Sequence, residues 1–92
     1  MSPEPHALSR EVRIQNARGL HARASAKFVN LATELGCPIE VEKDGNKVTG
    51  TSIMGLMMLG AAKGDTIVIH VDGDADALAT LVALVEGKFG EE

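Results

Sequence analysis

His21 is the residue whose type and position in this sequence best suit chemistry. It follows a loop that contains Gly19 and precedes a stretch of helical periodicity, and Arg23 stands in the first turn of that predicted helix. The first backbone N–H groups of a helix have no intrahelical acceptors and the helix dipole is positive there, so this end binds anions. An arginine fork matches a phosphate group, and a neutral imidazole is a competent nucleophile. The spacing therefore indicates phosphate chemistry at His21; the alternative is an ordinary loop histidine.

The elements that must position His21 follow from the hydrophobic pattern, which changes between period two and helical period along the chain. The helix after His21 is predicted over residues 22–35, because Gly36 ends it and Pro38 prevents its resumption. The element order is βαββαβα, and the turn Asp44-Gly45-Asn46 makes a hairpin, which requires antiparallel strands. Three helices are enough to cover one face of a four-stranded antiparallel sheet, so we predict an α+β open-faced sandwich. The strands are predicted over 8–14, 39–43, 47–49 and 66–71, the second helix from Thr51 or Ser52 to about Gly60, and the last helix from after Asp74 through Phe89.

The first helix is predicted to be amphipathic. Ala22, Ala26 and Val29 recur at helical spacing and are assigned to the buried face, whereas Arg23 and Lys27 fall on the opposite, polar face. Basic residues gather in this part of an otherwise acidic chain of net charge −4. We therefore expect an electropositive surface that meets an anion or an acidic partner. The alternative is a solvated surface on which charges cluster by accident.

The composition bounds the class of protein. A chain of 92 residues forms a single domain, residues 1–92, of which 1–7 and 90–92 are expected to be loose ends. Two Phe without Tyr or Trp, together with the acidic balance, argue against nucleic-acid binding. Cys37 is the single cysteine, so no disulfide, zinc cluster or other metal or cofactor site is predicted. The N-terminus has no signal-peptide core, and the longest apolar stretch, 53–62, is shorter than the ~20 residues of a membrane span, which predicts a cytoplasmic protein without membrane contact.

Two segments of the chain resemble segments of the HPr family, the histidine-containing phosphocarriers of the phosphoenolpyruvate-dependent phosphotransferase system. Residues 19–29 read GLHARASAKFV and are similar to the family's active-site segment. Residues 51–59 read TSIMGLMML and are similar to its regulatory-serine helix. The resemblance covers about residues 9–89, and the family's fold has the same βαββαβα order that the periodicity predicts.

The resemblance implies that His21 accepts a phosphoryl group on Nδ1 from phosphorylated enzyme I and passes it to an enzyme IIA-type acceptor. It implies that Arg23 neutralises charge on the transferring group, and that the protein is a bacterial carrier rather than an enzyme with its own turnover. Ala24 stands where sugar-branch members usually have proline, and the Ala-Ser-Ala-Lys run is more similar to HPr and NPr proteins of the nitrogen-related branch. We therefore expect an acceptor of the nitrogen-regulatory IIA type. Ala24 and Lys27 are assigned to the partner-binding surface.

Ser52 has two interpretations at the sequence level. A serine at a helix start is a capping residue, whereas the resemblance implies regulatory phosphorylation by HPr kinase/phosphorylase. The helix after it has no polar side, although a short helix on a sheet buries only one side. Ile53, Met54 and Met57 are therefore expected to face solvent and form a docking surface. The alternative is that a neighbouring loop covers them.

Two other functions are compatible with a chain of this size. A small acylphosphatase-like hydrolase has a similar core, but it needs an asparagine on a strand to position water, and neither Asn16 nor Asn30 is predicted there. A purely regulatory HPr-like adaptor would have lost the phosphorylatable histidine, whereas His21 is present. The phosphocarrier is the preferred interpretation, and we expect it to be a monomer.

Overall fold

The computed structural model describes residues 7–91, and its elements follow the predicted βαββαβα order. The first helix and the second strand have the predicted bounds, and each end of the other strands lies within one residue of its predicted position. The elements are β1 (Ala7–Arg13), α1 (Ala22–Leu35), β2 (Ile39–Lys43), β3 (Asn46–Thr49), α2 (Ile53–Met58), β4 (Thr66–Asp72), α3 (Ala75–Glu86) and a 3₁₀ turn (Lys88–Gly90).

The sheet has the strand order β1-β4-β2-β3, and every neighbouring pair is antiparallel. Successive side chains of a strand point to opposite faces, and one face carries the buried residues, among them Val12 and Ile67, which are paired across β1 and β4. Phe28 of α1, Leu56 of α2 and Leu81 of α3 belong to the same buried cluster. The three helices therefore cover one face of the sheet, which confirms the predicted open-faced sandwich.

The uncovered face of the sheet is polar. His70 lies on it, as the alternation along the last strand predicts, because its neighbours Ile69 and Val71 point into the core. Its Nε2 lies 2.8 Å from a carboxylate oxygen of Glu42 on the adjacent strand. His70 is thus paired on the side of the sheet away from the helices.

The buried face of α1 differs from the predicted one. Ala22 is exposed and Val29 is only half-buried, whereas Ala24 and Phe28 are buried almost completely. The prediction followed the spacing of small apolar residues, but Phe28 is the largest apolar side chain of this helix, and its burial places Ala24, one turn earlier, on the core side. The predicted end of α1 is confirmed, since Gly36 ends it with a left-handed φ of 75°.

The C-terminal segment also differs from the prediction. The last helix ends at Glu86, and Phe89 belongs to the 3₁₀ turn after it rather than to the helix. Lys88 and Phe89 have left-handed φ values of 60° and 56°, which cost a non-glycine residue roughly 1–2 kcal/mol each. The Phe89 side chain is fully buried, and burial of such a ring stabilises by roughly 1.5–3 kcal/mol, which offsets much of this strain.

The predicted loose end is wrong for the residues that follow Phe89. The Gly90 N–H donates to the carbonyl of Gly87, and the Glu91 N–H donates to the carbonyl of Lys88 at 2.9 Å. The tight turn thus continues to Glu91. The prediction is also wrong for Ala7, which is the first residue of β1 and is paired with Asp72 of β4. The remaining residues predicted to be loose, 1–6 and Glu92, lie outside the described part of the chain.

The loop before α1 approaches the loop after α2 closely at Gly19. The Leu20 N–H donates to the carbonyl oxygen of Ala61 at 3.0 Å, and Gly19 has a left-handed φ of 64°. A Cβ at position 19 would overlap that carbonyl oxygen and lie 2.9 Å from Cα of Ala62. Glycine is therefore required at this position for both backbone conformation and space.

Gly19→Ala is expected to destabilise the fold more than Gly36→Ala. Both glycines have left-handed φ values, but nothing lies within 4 Å of a Cβ built on Gly36. The control should lose about 1–2 kcal/mol from backbone strain alone, and Gly19→Ala roughly 1–3 kcal/mol more from steric overlap. Denaturant unfolding of both variants measures the difference. Equal losses would show that the Ala61 loop moves away at no cost.

Candidate functional site

His21 is the N-cap residue of α1, and both of its ring nitrogens have partners. Its backbone is extended, and Nδ1 accepts the N–H of Arg23 at 3.3 Å. Nε2 lies 2.7 Å from Oε2 of Glu91, which is 70 residues away in the sequence. The His21 side chain is 16% exposed. The ring is thus held between the first turn of α1 and the C-terminal segment, with one edge open to solvent.

Buried hydrogen bonds hold the loop that places His21. Asn16 is almost fully buried, and its Nδ2 donates to the carbonyl of Gly19 at 2.8 Å and to Oε1 of Glu91 at 3.1 Å. Ser25, also buried, donates from Oγ to the carbonyl of Leu20 at 3.2 Å. The loop is therefore held by a hydrogen bond within it, by Ser25 of α1, and by the bond between Asn16 and Glu91 of the C-terminal segment.

The C-terminal segment is the part of the site that sequence reasoning missed. Lys27 donates from Nζ to the carbonyl of Phe89 at 2.8 Å, and the buried Phe89 ring anchors the turn from the other side. These two contacts bring Glu91 to the ring of His21. Glu91 was assigned to a loose terminus, and Asn16 was considered only as a candidate for another chemistry. Neither residue belongs to a periodic pattern or a local motif.

The environment of Glu91 keeps its carboxylate charged. The hydrogen bond to the His21 ring lowers the pKa of Glu91 most, and the hydrogen bond from the Asn16 amide and the electrostatic attraction of His21 and Lys27 lower it further. Partial burial of the carboxyl acts in the opposite direction and is outweighed. A charged carboxylate only accepts hydrogen bonds, so Glu91 acts as an acceptor for the ring.

The other residues predicted for the site are found in different environments. Arg23 is exposed at the first turn of α1, so its guanidinium is accessible to an anion near His21. Lys27 is exposed on the same side of the helix, although its ammonium is bound to the Phe89 carbonyl. Ala24 is fully buried, so its assignment to the partner-binding surface is wrong. Position 24 lies one turn before Phe28, on the side of α1 that faces the core.

Ser52 caps α2 as one of its two interpretations predicts. Its Oγ accepts the Gly55 N–H at 2.9 Å, while Thr51 is exposed and lies outside the cap. The residue is half-buried. The capping role is thus confirmed, and the regulatory role stays a prediction.

The apolar residues of α2 are exposed, as predicted. Leu56 is completely buried, whereas Ile53, Met54 and Met57 are 40%, 69% and 41% exposed. The alternative, a loop that covers them, is wrong. Met58, 80% exposed, extends the patch and was not singled out from the sequence. Exposed apolar patches are typical of interaction sites, and the docking role of this one stays a prediction.

Two classes of site are not found in the described part of the chain. Within residues 7–91, no helix combines the length and the apolar character that a bilayer crossing requires. Over the same residues, His, Cys, Asp and Glu side chains do not gather in groups of three or more that would suit a metal ion.

A family model described as the phosphotransferase-system HPr component phosphorylation site matches residues 8–87. The chain belongs to the HPr family. Known relatives include the phosphocarrier protein HPr of Neisseria meningitidis, 46% identical over 86 residues that cover 91% of this chain and 97% of the relative. The phosphocarrier protein NPr of Shewanella violacea is 43% identical over 91% of this chain and 94% of the relative.

Solved structures agree with this result. The crystal structure of HPr-C-His from Thermoanaerobacter tengcongensis has a TM-score of 0.86 and 44% sequence identity, over 92% of this chain and 98% of that chain. Membership of the HPr family confirms both the predicted fold and the interpretation as a phosphocarrier of the phosphotransferase system. It is not compatible with the acylphosphatase-like alternative.

The lowered pKa of Glu91 predicts how its contact with His21 responds to acid. A carboxyl whose pKa is lower in the folded than in the unfolded state stabilises the fold at pH values above its unfolded pKa. This stabilisation is lost as the pH falls through the folded pKa. We expect the wild type to exceed Glu91→Gln in free energy of unfolding at neutral pH, and the difference to shrink as the pH falls below the unfolded glutamate pKa of about 4.3 and through the lower folded pKa.

Denaturant unfolding at a series of pH values measures this difference. Glu86→Gln, which removes the same charge from the exposed end of α3, is the matched control and should show a smaller difference at neutral pH. A Glu91→Gln difference that does not shrink in acid, below the unfolded glutamate pKa, would contradict a contact that depends on the carboxylate charge.

Proposed function

We propose that His21 is the phosphoryl acceptor of this HPr-family protein, on Nδ1, with enzyme I as donor and an enzyme IIA-type protein as acceptor. The observation that carries the proposal is the position of Nδ1, which faces the first-turn N–H groups of α1 and accepts that of Arg23. A phosphoryl group on Nδ1 would lie at the positive end of the helix, where N–H groups without intrahelical acceptors are directed.

The transfer needs only groups that are present around His21. The Nδ1 lone pair attacks the phosphorus atom, and the bond between phosphorus and the donor breaks with its electron pair leaving to the donor. The N–H of Arg23 then has a phosphoryl oxygen as a new acceptor. The exposed guanidinium of Arg23 neutralises charge on the three phosphoryl oxygens. Transfer to the acceptor reverses these steps, so the protein is a carrier that is itself transiently phosphorylated.

The exposed part of α2 supports a common docking surface for donor and acceptor. α2 packs against α1, and Ile53, Met54 and Met57 are available on its outer side. Methionine adapts to partners of different shape, which suits a carrier that must meet two proteins in turn. Lys27 adds a positive charge beside this surface. We propose that both partners bind here and that the carrier acts as a monomer in the cytoplasm.

An acceptor of the nitrogen-regulatory IIA type is the better candidate for this chain. Ala24 stands where the sugar-branch resemblance would require proline, and an NPr protein is among the relatives at 43% identity. Ala24 is buried, so it does not contact the acceptor directly. It allows a regular backbone N–H at this position of the first turn, which proline would remove.

Loss of the imidazole tests the central proposal. His21→Ala should accept no phosphate from enzyme I and phosphoenolpyruvate, because the nucleophile is gone. His70→Ala is the matched control, since it removes an imidazole from the uncovered face of the sheet and should keep the label. Incorporation of radioactive phosphate in an acid-labile form is the measurement. Label that persists in His21→Ala would contradict the assignment.

A second candidate function is regulation through Ser52, with HPr kinase/phosphorylase as the modifying enzyme. Ser52 begins α2, and the exposed apolar patch follows it directly. A phosphate there carries about −1.5 to −2 charges and is favoured by the positive helix end. Partners that dock on the patch would have to desolvate this charge. Phosphorylation should therefore weaken docking without unfolding the protein.

Ser52→Asp should lower the rate at which enzyme I phosphorylates His21, with an unchanged or higher melting temperature, because one charge imitates the phosphate in part. Ser52→Ala should keep the rate and lose roughly 0.5–2 kcal/mol of stability with the cap. Thr51→Asp is the charge control, placed one residue before the cap on an exposed position. Equal rates for Ser52→Asp and the wild type would show that Ser52 is only a helix cap.

A further inference from the structure

The contact between Glu91 and His21 has no step of its own in the transfer described above, yet it is the shortest polar contact of the His21 ring. We propose that Glu91 is a positioning residue for phosphotransfer: its carboxylate holds the imidazole proton on Nε2 and leaves the lone pair on Nδ1. This inference rests on the proposed role of His21 as phosphoryl acceptor. It assigns to the C-terminal segment a share in setting the tautomer, beside the weaker contact from the Arg23 N–H of the active-site motif.

Both contacts of the ring select the same tautomer. Oε2 of Glu91 lies 2.7 Å from Nε2, and a carboxylate oxygen only accepts, so Nε2 must be the donor. On the other side of the ring, the backbone N–H of Arg23 only donates, so Nδ1 must be the acceptor. In histidine sites, the hydrogen bond of one ring nitrogen decides the state of the other. The geometry therefore presents Nδ1 with its lone pair.

The carboxylate is itself held in place. Its second oxygen accepts from Nδ2 of the buried Asn16 at 3.1 Å, and the same Nδ2 donates to the Gly19 carbonyl in the loop that precedes His21. The backbone of the segment is fixed by the Lys27 bond to Phe89 and by the Glu91 N–H bond to Lys88. A side chain on a loose tail would impose no tautomer. Here the acceptor is fixed relative to the same loop that places the ring.

The proton on Nε2 allows Nδ1 to accept the phosphoryl group without loss of a proton from the ring. When Nδ1 attacks phosphorus, a bond from Nδ1 to phosphorus forms and the donor keeps the electron pair of the bond that breaks. No proton has to leave the ring, because Nε2 keeps the one it holds. The ring gains positive charge in this step, and the carboxylate of Glu91 lies next to it. With the proton on Nδ1 instead, the lone pair would be on Nε2, and the phosphoryl group would form its bond on the wrong nitrogen.

The tautomer itself is the first measurement. In the full-length protein labelled with ¹⁵N and held at a pH where the ring is neutral, the two ring-nitrogen chemical shifts of His21 report which nitrogen carries the proton. The wild type should show the proton on Nε2 alone. Glu91→Gln should show a mixture, since an amide both donates and accepts. Glu86→Gln, at the exposed end of α3, removes one glutamate charge outside the site and should behave as the wild type.

Phosphoramidate, a small-molecule phosphoryl donor, supplies the second measurement. The wild type and Glu86→Gln should be phosphorylated on Nδ1. Glu91→Gln should be slower at Nδ1, by roughly tenfold, and should form the Nε2 isomer as well. This is the lower end of the ten- to hundredfold losses seen when the carboxylate partner of a functional histidine is removed at metal sites. A chain that ends at Gly90 should behave as Glu91→Gln, which separates loss of the carboxylate from any contact made by the new amide.

The two proposals can fail separately. If Glu91→Gln keeps the wild-type ring shifts and is phosphorylated on Nδ1 at the wild-type rate, Glu91 is only a structural contact and the inference is wrong, whatever enzyme I does. If the wild type reacts with phosphoramidate but takes no phosphate from enzyme I, the proposed carrier function fails while the tautomer result stands. A melting curve for each variant shows that the fold is intact before either result is read.

Discussion

The hydrogen bond from the Arg23 N–H to Nδ1 of His21 is the interaction on which the site depends, and it is a weak one. Three helices begin with a side-chain cap: Oγ of Ser52 at 2.9 Å, a carboxylate oxygen of Asp74 at 2.8 Å, and the His21 ring at 3.3 Å. Serine and aspartate are preferred caps, and histidine is not among them. The first helix therefore gives up part of its capping energy at the residue proposed to accept the phosphoryl group. A weakly held N–H is also easily released to another acceptor, which a phosphoryl group on Nδ1 would provide.

Other features that lower the stability of the fold lie near His21. Lys88 and Phe89 have left-handed backbones, and strain of this kind persists only where the surrounding structure holds it in place. Asn16 presents Nδ2 to two acceptors, and its Oδ1 is buried without a hydrogen-bond partner among the described residues. An unpaired buried oxygen costs roughly 1–3 kcal/mol. The buried Phe89 ring and the paired carboxylate of Glu91 offset these terms. The C-terminal segment thus keeps its strained backbone because the Phe89 ring is buried in the core and the Glu91 carboxylate is bound by Asn16 and His21.

The features of the fold that depend on neighbouring residues could be predicted from the sequence, whereas the contacts between residues far apart in the sequence could not. The bounds of α1, the Ser52 cap and the exposed side of α2 follow from local spacing, capping preference and the width of a short helix. The prediction of the buried face of α1 was wrong, because the spacing of apolar residues gives the helical period but does not show which side chains are buried. Phe28 is buried, and Ala24 lies on the same side of the helix. Glu91 was missed because its partner is 70 residues away. Only the left-handed turn after α3, at residues with no signal for such a turn, brings the two together.

The residues proposed for transfer and those proposed for docking differ in their burial. The groups that would determine the reacting nitrogen are inside or half-buried: Asn16 is almost fully buried, and the side chains of His21 and Glu91 are only 16% and 20% exposed. The groups proposed to meet partners, Arg23 and the apolar residues of α2, are exposed. Neither hydrogen bond of the His21 ring involves a residue of α2. In the proposed transfer, donor and acceptor proteins would meet an imidazole that is already oriented, and their docking would have only to bring phosphorus to Nδ1.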